Sequence, residues 1–161
     1  MLLLSFRKAK DIDAIVIVQL RRKIWNTTYR GIYPDAMLDD FDTAWHLSKE
    51  KSRLQGTAYA VYLIEENQNP VGYLTLRIGE RAVLQSLYVL KAHQGCGIGR
   101  EAIAFARAYF RRCGLACFTC ECHPANEKAR LFYEKQGGVL IGADLENEEH
   151  WQDAVIYQFQ V

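Results

Sequence analysis

The chain has 161 residues, of which half are hydrophobic, and its 20 basic and 19 acidic side chains give a formal net charge of +1. This length fits one domain over residues 1–161, and the balanced charge argues against a dedicated nucleic-acid-binding protein. The chain contains no run of 18 apolar residues, so no membrane span is expected. The N-terminal residues Met1–Leu4 precede the first basic residues, an order unlike that of a signal peptide, so we expect a cytoplasmic location.

Charge and cysteine are unevenly distributed along the chain. Residues 31–66 and 137–161 are acidic, whereas residues 1–30 and 67–136 are basic. This alternation has two interpretations: ordinary solvated faces, or a basic segment that meets a polyanion beside acidic segments that attract a cation. The five cysteines are an odd number, and without an export signal we expect free thiols.

The first half of the chain predicts a strand, two helices and three further strands. Leu2–Arg7 has the pattern of a short strand, and Asp11 can cap a helix that follows it. Pro34-Asp35 begins a second helix that extends to about Lys51. The strands that follow are Thr57–Glu65, Val71–Ile78 and Ala82–Leu90, and Asn67-Gln68-Asn69-Pro70 predicts a hairpin turn between the first two. The apolar face predicted for the first helix comprises Ile12, Ile15, Val16, Leu20 and Ile24.

The second half predicts a helix that begins in a glycine-rich stretch and ends before Gly114, then a strand over Leu115–Cys122. Asn126 can cap a helix that extends to Gln136, and Val139–Ile141 and Val155–Val161 predict two late strands. The resulting order, β-α-α-β-β-β-α-β-α-β-β, predicts an α/β fold with a mixed sheet and helices on both faces.

The glycine-rich stretch is the first candidate site. Gln94-Gly95-Cys96-Gly97-Ile98-Gly99-Arg100 lies between a predicted strand and a predicted helix. Glycine lets the backbone approach a ligand closely, and a helix start presents free N–H groups with partial positive charge. These features suit a pyrophosphate, and Arg100 could add a charged contact.

Two other phosphate-binding motifs fit this stretch poorly. A P-loop requires Gly-Lys-Ser/Thr after its first glycine, and the chain has no such string. A dinucleotide fingerprint requires a third glycine where Arg100 stands and should open the fold, whereas here four predicted strands precede it. Glu121 does lie about where a ribose-binding acid would be expected.

A second candidate site lies on the helix that follows Asn126. Asn126, Ala129 and Tyr133 are spaced so that they share one helical face with Phe132. Asn126 can cap the helix or bind a ligand amide, Ala129 keeps the face shallow, and Tyr133 places a hydroxyl one turn further along. A capped amphipathic helix with a core tyrosine is the simpler interpretation of the same pattern.

Taken together, these motifs resemble the GCN5-related N-acetyltransferases (GNAT). The resemblance rests on the strand Leu87-Tyr88-Val89, the loop Gln94-x-x-Gly97-x-Gly99, and the run from Asn126 through Ala129 and Phe132-Tyr133 to Gly137. It spans about residues 70–142. It implies direct attack of an amine on the thioester of acetyl-CoA, without a metal or a covalent enzyme intermediate.

The resemblance also implies roles for individual residues. Tyr133 would be catalytic and would protonate the thiolate of CoA as it leaves. Backbone groups on the strand would pair with pantetheine, a backbone N–H near Val89 would polarise the thioester carbonyl, and the loop would hold the pyrophosphate. The implied cofactor-binding residues are Leu87, Tyr88, Val89, Gln94, Gly95, Cys96, Gly97, Ile98, Gly99, Arg100, Asn126, Ala129 and Tyr133.

The sequence departs from the family pattern at the general base. Many relatives carry a glutamate on the strand before the loop, but Ala82-Val83-Leu84-Gln85 has no carboxylate. Glu121 is one candidate, and deprotonation by water or in bulk solution is the alternative.

For the amine acceptor, Trp25, Tyr29 and Tyr33 recur every four residues and share a helical face. They are either core residues or an aromatic wall that could bind a cationic amine. Acidic residues between Asp35 and Asp42 would favour such an amine. The acceptor itself is not identified by the sequence, and a homodimer is an additional expectation.

The cysteines have alternative interpretations. Cys117-x-x-Cys120-x-Cys122-His123 resembles a zinc motif, but Cys117 would point to the opposite side of a strand from Cys120 and Cys122, so we interpret them as buried thiols. Cys96 would be a nucleophile only with His93 as its base, and we interpret it as a tolerated loop residue. A non-catalytic acyl-CoA-binding module on the same fold is the alternative function.

Overall fold

The structure, a computed structural model, describes residues 3–161, so Leu2 of the first predicted strand lies outside the described residues. The strands are β1 (Leu4–Lys8), β2 (Tyr59–Glu66), β3 (Asn69–Arg77), β4 (Val83–Val89), β5 (Cys117–Cys122), β6 (Val139–Asp144) and β7 (Ala154–Gln160). The helices are α1 (Ala14–Thr28), α2 (Asp35–Asp39), α3 (Thr43–Gln55), α4 (Ile98–Arg112) and α5 (Glu127–Lys135).

The strands form one mixed sheet in the order β1-β2-β3-β4-β5-β7-β6. Among these seven strands of residues 3–161, only β4 and β5 are parallel neighbours, and the other pairs are antiparallel. Helix α4 packs on one face through Ala102, Ile103 and Phe110, and α1 packs on the other through Ile17 and Ile24. The predicted α/β fold with helices on both faces is therefore confirmed.

The predicted second helix is wrong in its extent, because the structure divides residues 34–51 into α2 and α3. The Asp42 side chain accepts a hydrogen bond from the Trp45 amide at 2.9 Å, which caps α3 at its start. A cap of this kind starts a new helix, so α2 ends at Asp39 and α3 continues to Gln55.

The predicted apolar face of the first helix is also partly wrong. Residues Asp11–Asp13 form a 3-10 turn, and Asp13 accepts from the Lys10 amide and from the Arg7 guanidinium. The α-helix starts only at Ala14, so Ile12 is 82% exposed and Ile15 is 40% exposed. The buried face of α1 consists of Ala14, Ile17, Val18, Leu20, Arg21 and Ile24.

The hairpin prediction is confirmed. Glu66 pairs with Asn69 across a two-residue turn in which Asn67 and Gln68 both have positive φ, 50° and 69°. Two successive left-handed residues match the twist of antiparallel strands, and asparagine tolerates that conformation better than most residues.

A buried ion pair joins α1 and α3 to the centre of the sheet. Arg21 donates to Glu50 at 2.9 Å and to the hydroxyl of Tyr73 on β3 at 2.9 Å, and all three side chains are buried. A buried charge is tolerated only when it is paired and hydrogen-bonded, so this contact fixes how α1 lies on the sheet.

Within residues 3–161, no helix has the length and apolar character needed to cross a membrane.

Candidate active site

The centre of the sheet opens into a wedge between its two parallel strands. β4 and β5 pair only at Val83 with Thr119 and at Leu84 with Cys120. The pairing of β3 with β4 shifts register between Thr75 and Leu76, which leaves Gln85 as an extra residue in β4. Such a bulge bends the strand that carries it, and β4 separates from β5 directly after it.

Beyond the bulge, the backbone of β4 has hydrogen-bonding groups on its open side. The Leu90 amide donates to the Val71 carbonyl on β3 at 2.8 Å. Because successive residues in an antiparallel pair face alternate sides, the N–H and C=O groups of Val89 and Leu87 face the wedge. These groups can pair with an extended ligand as a further strand would.

Next to the wedge, the glycine-rich loop leads into α4. Gly95 and Gly97 have φ values of +77° and +94°, a conformation that glycine adopts without a steric penalty. Gly97 is the N-cap of α4, which extends for 15 residues from Ile98. The free amides of this first turn and the helix dipole form a site for an anion.

The side chains of this loop point in several directions. Ile98 is buried in the core, so only its backbone is available to a ligand, while Arg100 is exposed. A Cβ at Gly99 would lie 2.9 Å from the Phe132 ring, so glycine is needed there for the close approach of α4 and α5. The exposed Cys96 donates its thiol hydrogen to the His93 carbonyl at 3.0 Å.

On the other wall, α5 carries the second motif. Asn126 caps the helix, since its Oδ1 accepts from the Ala129 amide at 3.2 Å. Ala129 is partly buried against the core, and Tyr133 is buried between Tyr157 and Phe159. The sequence therefore predicted both the cap and the helical face correctly.

Tyr133 is placed to stay protonated. Burial raises the pKa of its hydroxyl well above 10, and the neighbouring thiols of Cys120 and Cys122 raise it further. A phenol in this setting is a hydrogen-bond or proton donor throughout the physiological pH range.

A cavity of about 460 Å³ lies against the wedge on the face that α1 covers. Its size is typical of a small-molecule site. Leu84, Gln85 and Cys122 form the side at the wedge, and the aromatic and charged residues that line the rest are Tyr29, Tyr33, Tyr88, Trp151, Arg77, Glu121 and Asp153.

The aromatic residues form a connected wall. Tyr29 and Tyr33 stack in parallel with ring centroids 4.1 Å apart, and Trp151 meets Tyr33 edge-on at 5.5 Å. The hydroxyls of Tyr29 and Tyr88 are hydrogen-bonded at 2.9 Å. Burial raises the pKa of Tyr29, and it raises that of Tyr33 to about 12, so both are neutral donors or acceptors.

Trp25 lies elsewhere, which corrects the prediction that it lines the acceptor pocket. Its ring lies behind the cavity wall, edge-on to Tyr29, Tyr33, Phe41 and His46. The three residues do not share one helical face, because α1 ends at Thr28, before Tyr29 and Tyr33. Tyr29 and Tyr33 consequently face the cavity while Trp25 packs between α1 and α3.

Glu121 lies on the cavity side of β5. It is exposed, pairs with Ile156 on β7, and makes no side-chain hydrogen bond or ion pair within residues 3–161. Its carboxylate is therefore available to a ligand in the cavity.

The cysteines of β5 are distributed as a strand requires. Cys120 and Cys122 pack with the core beneath α4 and α5, whereas Cys117 contacts Gln158. Burial raises the pKa of Cys120 and raises that of Cys122 to about 11. No group of three or more metal-ligating side chains is present among residues 3–161.

A family model described as the acetyltransferase (GNAT) family matches residues 19–138, which is most of the chain. The chain belongs to the GNAT family. This places it among acyltransferases that move an acetyl group to nitrogen.

Solved GNAT structures share the fold of the whole chain. A PaiA N-acetyltransferase from Thermoplasma acidophilum in complex with coenzyme A aligns with a TM-score of 0.82 at 18% identity, over 99% of both chains. An acetyltransferase from Thermus thermophilus aligns with a TM-score of 0.75 at 22% identity, over 98% of this chain and 97% of the other. A spermidine N-acetyltransferase SpeG chimera from Vibrio cholerae and hSSAT aligns with a TM-score of 0.77 at 20% identity, over 98% of this chain and 95% of the other. A search of curated proteins finds no match.

In this GNAT chain, some of the residues that line the cavity, among them His123 and Trp151, were not predicted from the sequence. His123 donates from Nε2 to the His150 carbonyl at 2.8 Å, and its Nδ1 accepts from the Ala125 amide at 3.0 Å. This fixes the turn that carries Trp151 against the end of β5. Arg77 and Asp153 also line the cavity. No local motif marks these residues, because they meet only through the order of strands in the sheet.

Proposed function

We propose that this protein transfers the acetyl group of acetyl-CoA to the primary amine of a small cationic acceptor, with residues 1–161 acting as one catalytic domain. The observation that carries the proposal is that the wedge and the cavity lie next to each other. The wedge presents backbone groups to an extended thioester, and the cavity opens on that wedge at Leu84 and Gln85. An amine in the cavity would then lie beside the acyl group.

The loop and the wedge supply the acetyl-CoA half of the site. The amides of residues 95–100, with Arg100, would hold the pyrophosphate at the start of α4. The backbone of Leu87 and Val89 would pair with the pantetheine arm, as would the Asn126 side chain. The Val89 N–H faces the same gap and would stabilise negative charge on the thioester oxygen.

Tyr133 would serve the leaving thiolate. Its hydroxyl stays protonated because burial raises its pKa, and α5 places it beside Cys120 of β5, one of the two strands that border the wedge. A proton or hydrogen bond given to the thiolate lowers the barrier to C–S cleavage. The reaction then joins the amine nitrogen to the acetyl carbon and releases CoA as a thiol.

The proton of the amine needs a separate acceptor. Tyr29 and Tyr33 are weak bases because burial keeps them neutral, and both ring nitrogens of His123 are hydrogen-bonded. Asp153 accepts from His150 at 3.2 Å and from Asn147 at 3.3 Å. Glu121 is the cavity carboxylate without such partners in the described chain, so it is our candidate base, acting directly or through water.

The cavity supports a cationic acceptor. Its aromatic wall can bind a positive charge by cation–π contact, and carboxylates outnumber guanidinium groups among its lining side chains. The adjoining segment 137–161 has five acidic residues and neither lysine nor arginine. An amine would therefore be drawn toward the wedge by the local potential.

Location and assembly remain predictions. A cytoplasmic location is a proposal from the sequence, in which no export signal accompanies the odd number of cysteines. A homodimer is expected from the family resemblance, and light scattering would measure the mass in solution.

The experiment is a measurement of thiol release from acetyl-CoA with three acceptors of equal length: n-pentylamine, cadaverine and 5-aminopentanoate. The proposal predicts turnover with all three and the highest kcat/KM for cadaverine, whose far end is cationic. A higher kcat/KM for 5-aminopentanoate would overturn the proposal that the acceptor is cationic, but it would leave the proposal of acetyl transfer intact. CoA binding without turnover of any amine in a broad panel would indicate a non-catalytic acyl-CoA-binding module instead.

A further inference from the structure

A short chain of hydrogen bonds crosses the mouth of the wedge. The Gln94 side chain donates from Nε2 to the Val89 carbonyl at 2.9 Å, and its Oε1 accepts from the Lys128 ammonium at 2.6 Å. Gln94 follows β4, whereas Lys128 lies in the first turn of α5, which follows β5. These contacts, which we call the Gln94 bridge, therefore connect the two walls where the strands have separated.

The bridge uses a backbone group that the proposed cosubstrate also needs. The Val89 carbonyl faces the wedge, because the neighbouring Leu90 amide is directed to β3. The carboxamide N–H of Gln94 is the same kind of donor as the amide N–H groups of pantetheine. A pantetheine amide that pairs with Val89 must therefore displace Gln94 from this carbonyl.

Displacing Gln94 also frees a cation. Lys128 is exposed and makes no other hydrogen bond or ion pair within residues 3–161. Its partner in this part of the chain is the side chain of Gln94, the residue with which the proposed phosphate-binding loop begins. Once released, the ammonium can reach an anion held at that loop, and such a charged contact is stronger than its bond to a neutral amide.

We propose that Lys128 is a phosphate-binding residue for CoA and that the Gln94 bridge closes the free wedge, opening when pantetheine replaces Gln94 at the Val89 carbonyl. This inference rests on the proposed function, since it requires CoA to bind in the wedge. It adds Lys128, which no motif identified, and gives the Gln94 side chain a role in the free protein.

The test compares CoA with pantetheine, which has the amides but no phosphates. Lys128→Met removes the charge and keeps the aliphatic stem, and Lys135→Met, at an exposed position in the last turn of the same helix, is the matched control. By calorimetry we expect Lys128→Met to weaken CoA binding about tenfold, and less at 0.5 M salt. By NMR titration, pantetheine should bind Lys128→Met at least as tightly as the wild type.

Gln94→Met tests the other half of the bridge. It should strengthen pantetheine binding about threefold, because the Val89 carbonyl no longer has an internal donor. The inference is overturned if Lys128→Met binds CoA within twofold of the wild type. It is equally overturned if Lys128→Met weakens the binding of CoA and of pantetheine by the same factor, or if Lys135→Met weakens CoA binding as much as Lys128→Met does. It is also overturned if Gln94→Met weakens pantetheine binding. A wild type that binds no CoA would instead refute the proposed function.

Discussion

The two halves of the site are built from different parts of the chain. The wedge and loop use backbone groups from contiguous residues 87–100 and one face of α5. The cavity that we propose for the acceptor uses side chains from the segment that follows α1, from β3, β4 and β5, and from the turn at His150–Gln152. A backbone site tolerates many side chains provided that its glycines and its helix start are kept. A side-chain site can change its ligand by single substitutions. Cosubstrate binding and acceptor choice should therefore be separable by mutation.

Tyr133→Phe should show the largest difference between an effect on catalysis and an effect on CoA binding. The ring keeps its packing against Tyr157 and Phe159, while the proton donor is lost. We expect kcat to fall about a hundredfold or more with CoA affinity within twofold of the wild type. Steady-state kinetics and a CoA titration measure the two quantities, and an unchanged kcat would remove Tyr133 from the chemistry.

Gly97→Ala should affect only the cosubstrate half. An alanine at φ +94° is strained, so the start of α4 would shift and the amides would no longer converge. We predict CoA binding about tenfold weaker with the KM for the amine unchanged. Gly79→Ala is the control, because glycine 79 has open space around it and no positive φ. Equal losses in both variants would contradict this view of the loop.

Tyr33→Leu should affect only the acceptor half. Removing one ring of the wall should raise the KM for the amine about fivefold and leave CoA affinity unchanged. Trp25→Phe sharpens the comparison, because Trp25 lies behind the wall. This substitution should lower thermal stability and leave the KM for the amine unchanged. A larger KM effect at Trp25 than at Tyr33 would restore the original sequence prediction.

The smallest effect concerns acid stability on the acceptor side. Burial and Arg21 lower the pKa of His46 to about 4, so His46 binds a proton more readily in the unfolded chain. Stability should therefore fall as the pH drops from about 6.5 toward 4. Melting temperatures measured over that range should decline less in His46→Gln than in the wild type. Parallel declines would assign the acid sensitivity to other groups.

The sequence predicted the local structure around the wedge because the signals for it are local. Glycines with positive φ, the Asn126 cap and the spacing of Ala129 and Tyr133 are all encoded within a few residues of each other. The division of residues 34–51 into two helices was also local in origin, since the Asp42 cap causes it, but several nearby aspartates could have served as that cap.

The Gln94 bridge and most of the cavity lining could not be predicted in this way, although Tyr29, Tyr33 and Glu121 were proposed for the acceptor pocket. Lys128 and Gln94 are 34 residues apart, and Trp151 reaches Tyr33 only because β7 lies beside β5 in the sheet. Such contacts depend on strand order, which the pattern of hydrophobic residues does not specify. Trp25 shows the converse error, because helical spacing grouped it with Tyr29 and Tyr33, which lie beyond the end of α1 and line the cavity.

The most direct test is an NMR titration of ¹⁵N-labelled protein with CoA. The account predicts saturable shifts of the backbone amides at Leu87 and Val89 and at Gly95, Gly97 and Ile98, with the amides around His46 unaffected. Shifts confined to other parts of the chain, or none at millimolar CoA, would contradict the assignment of the wedge and loop as the cosubstrate site.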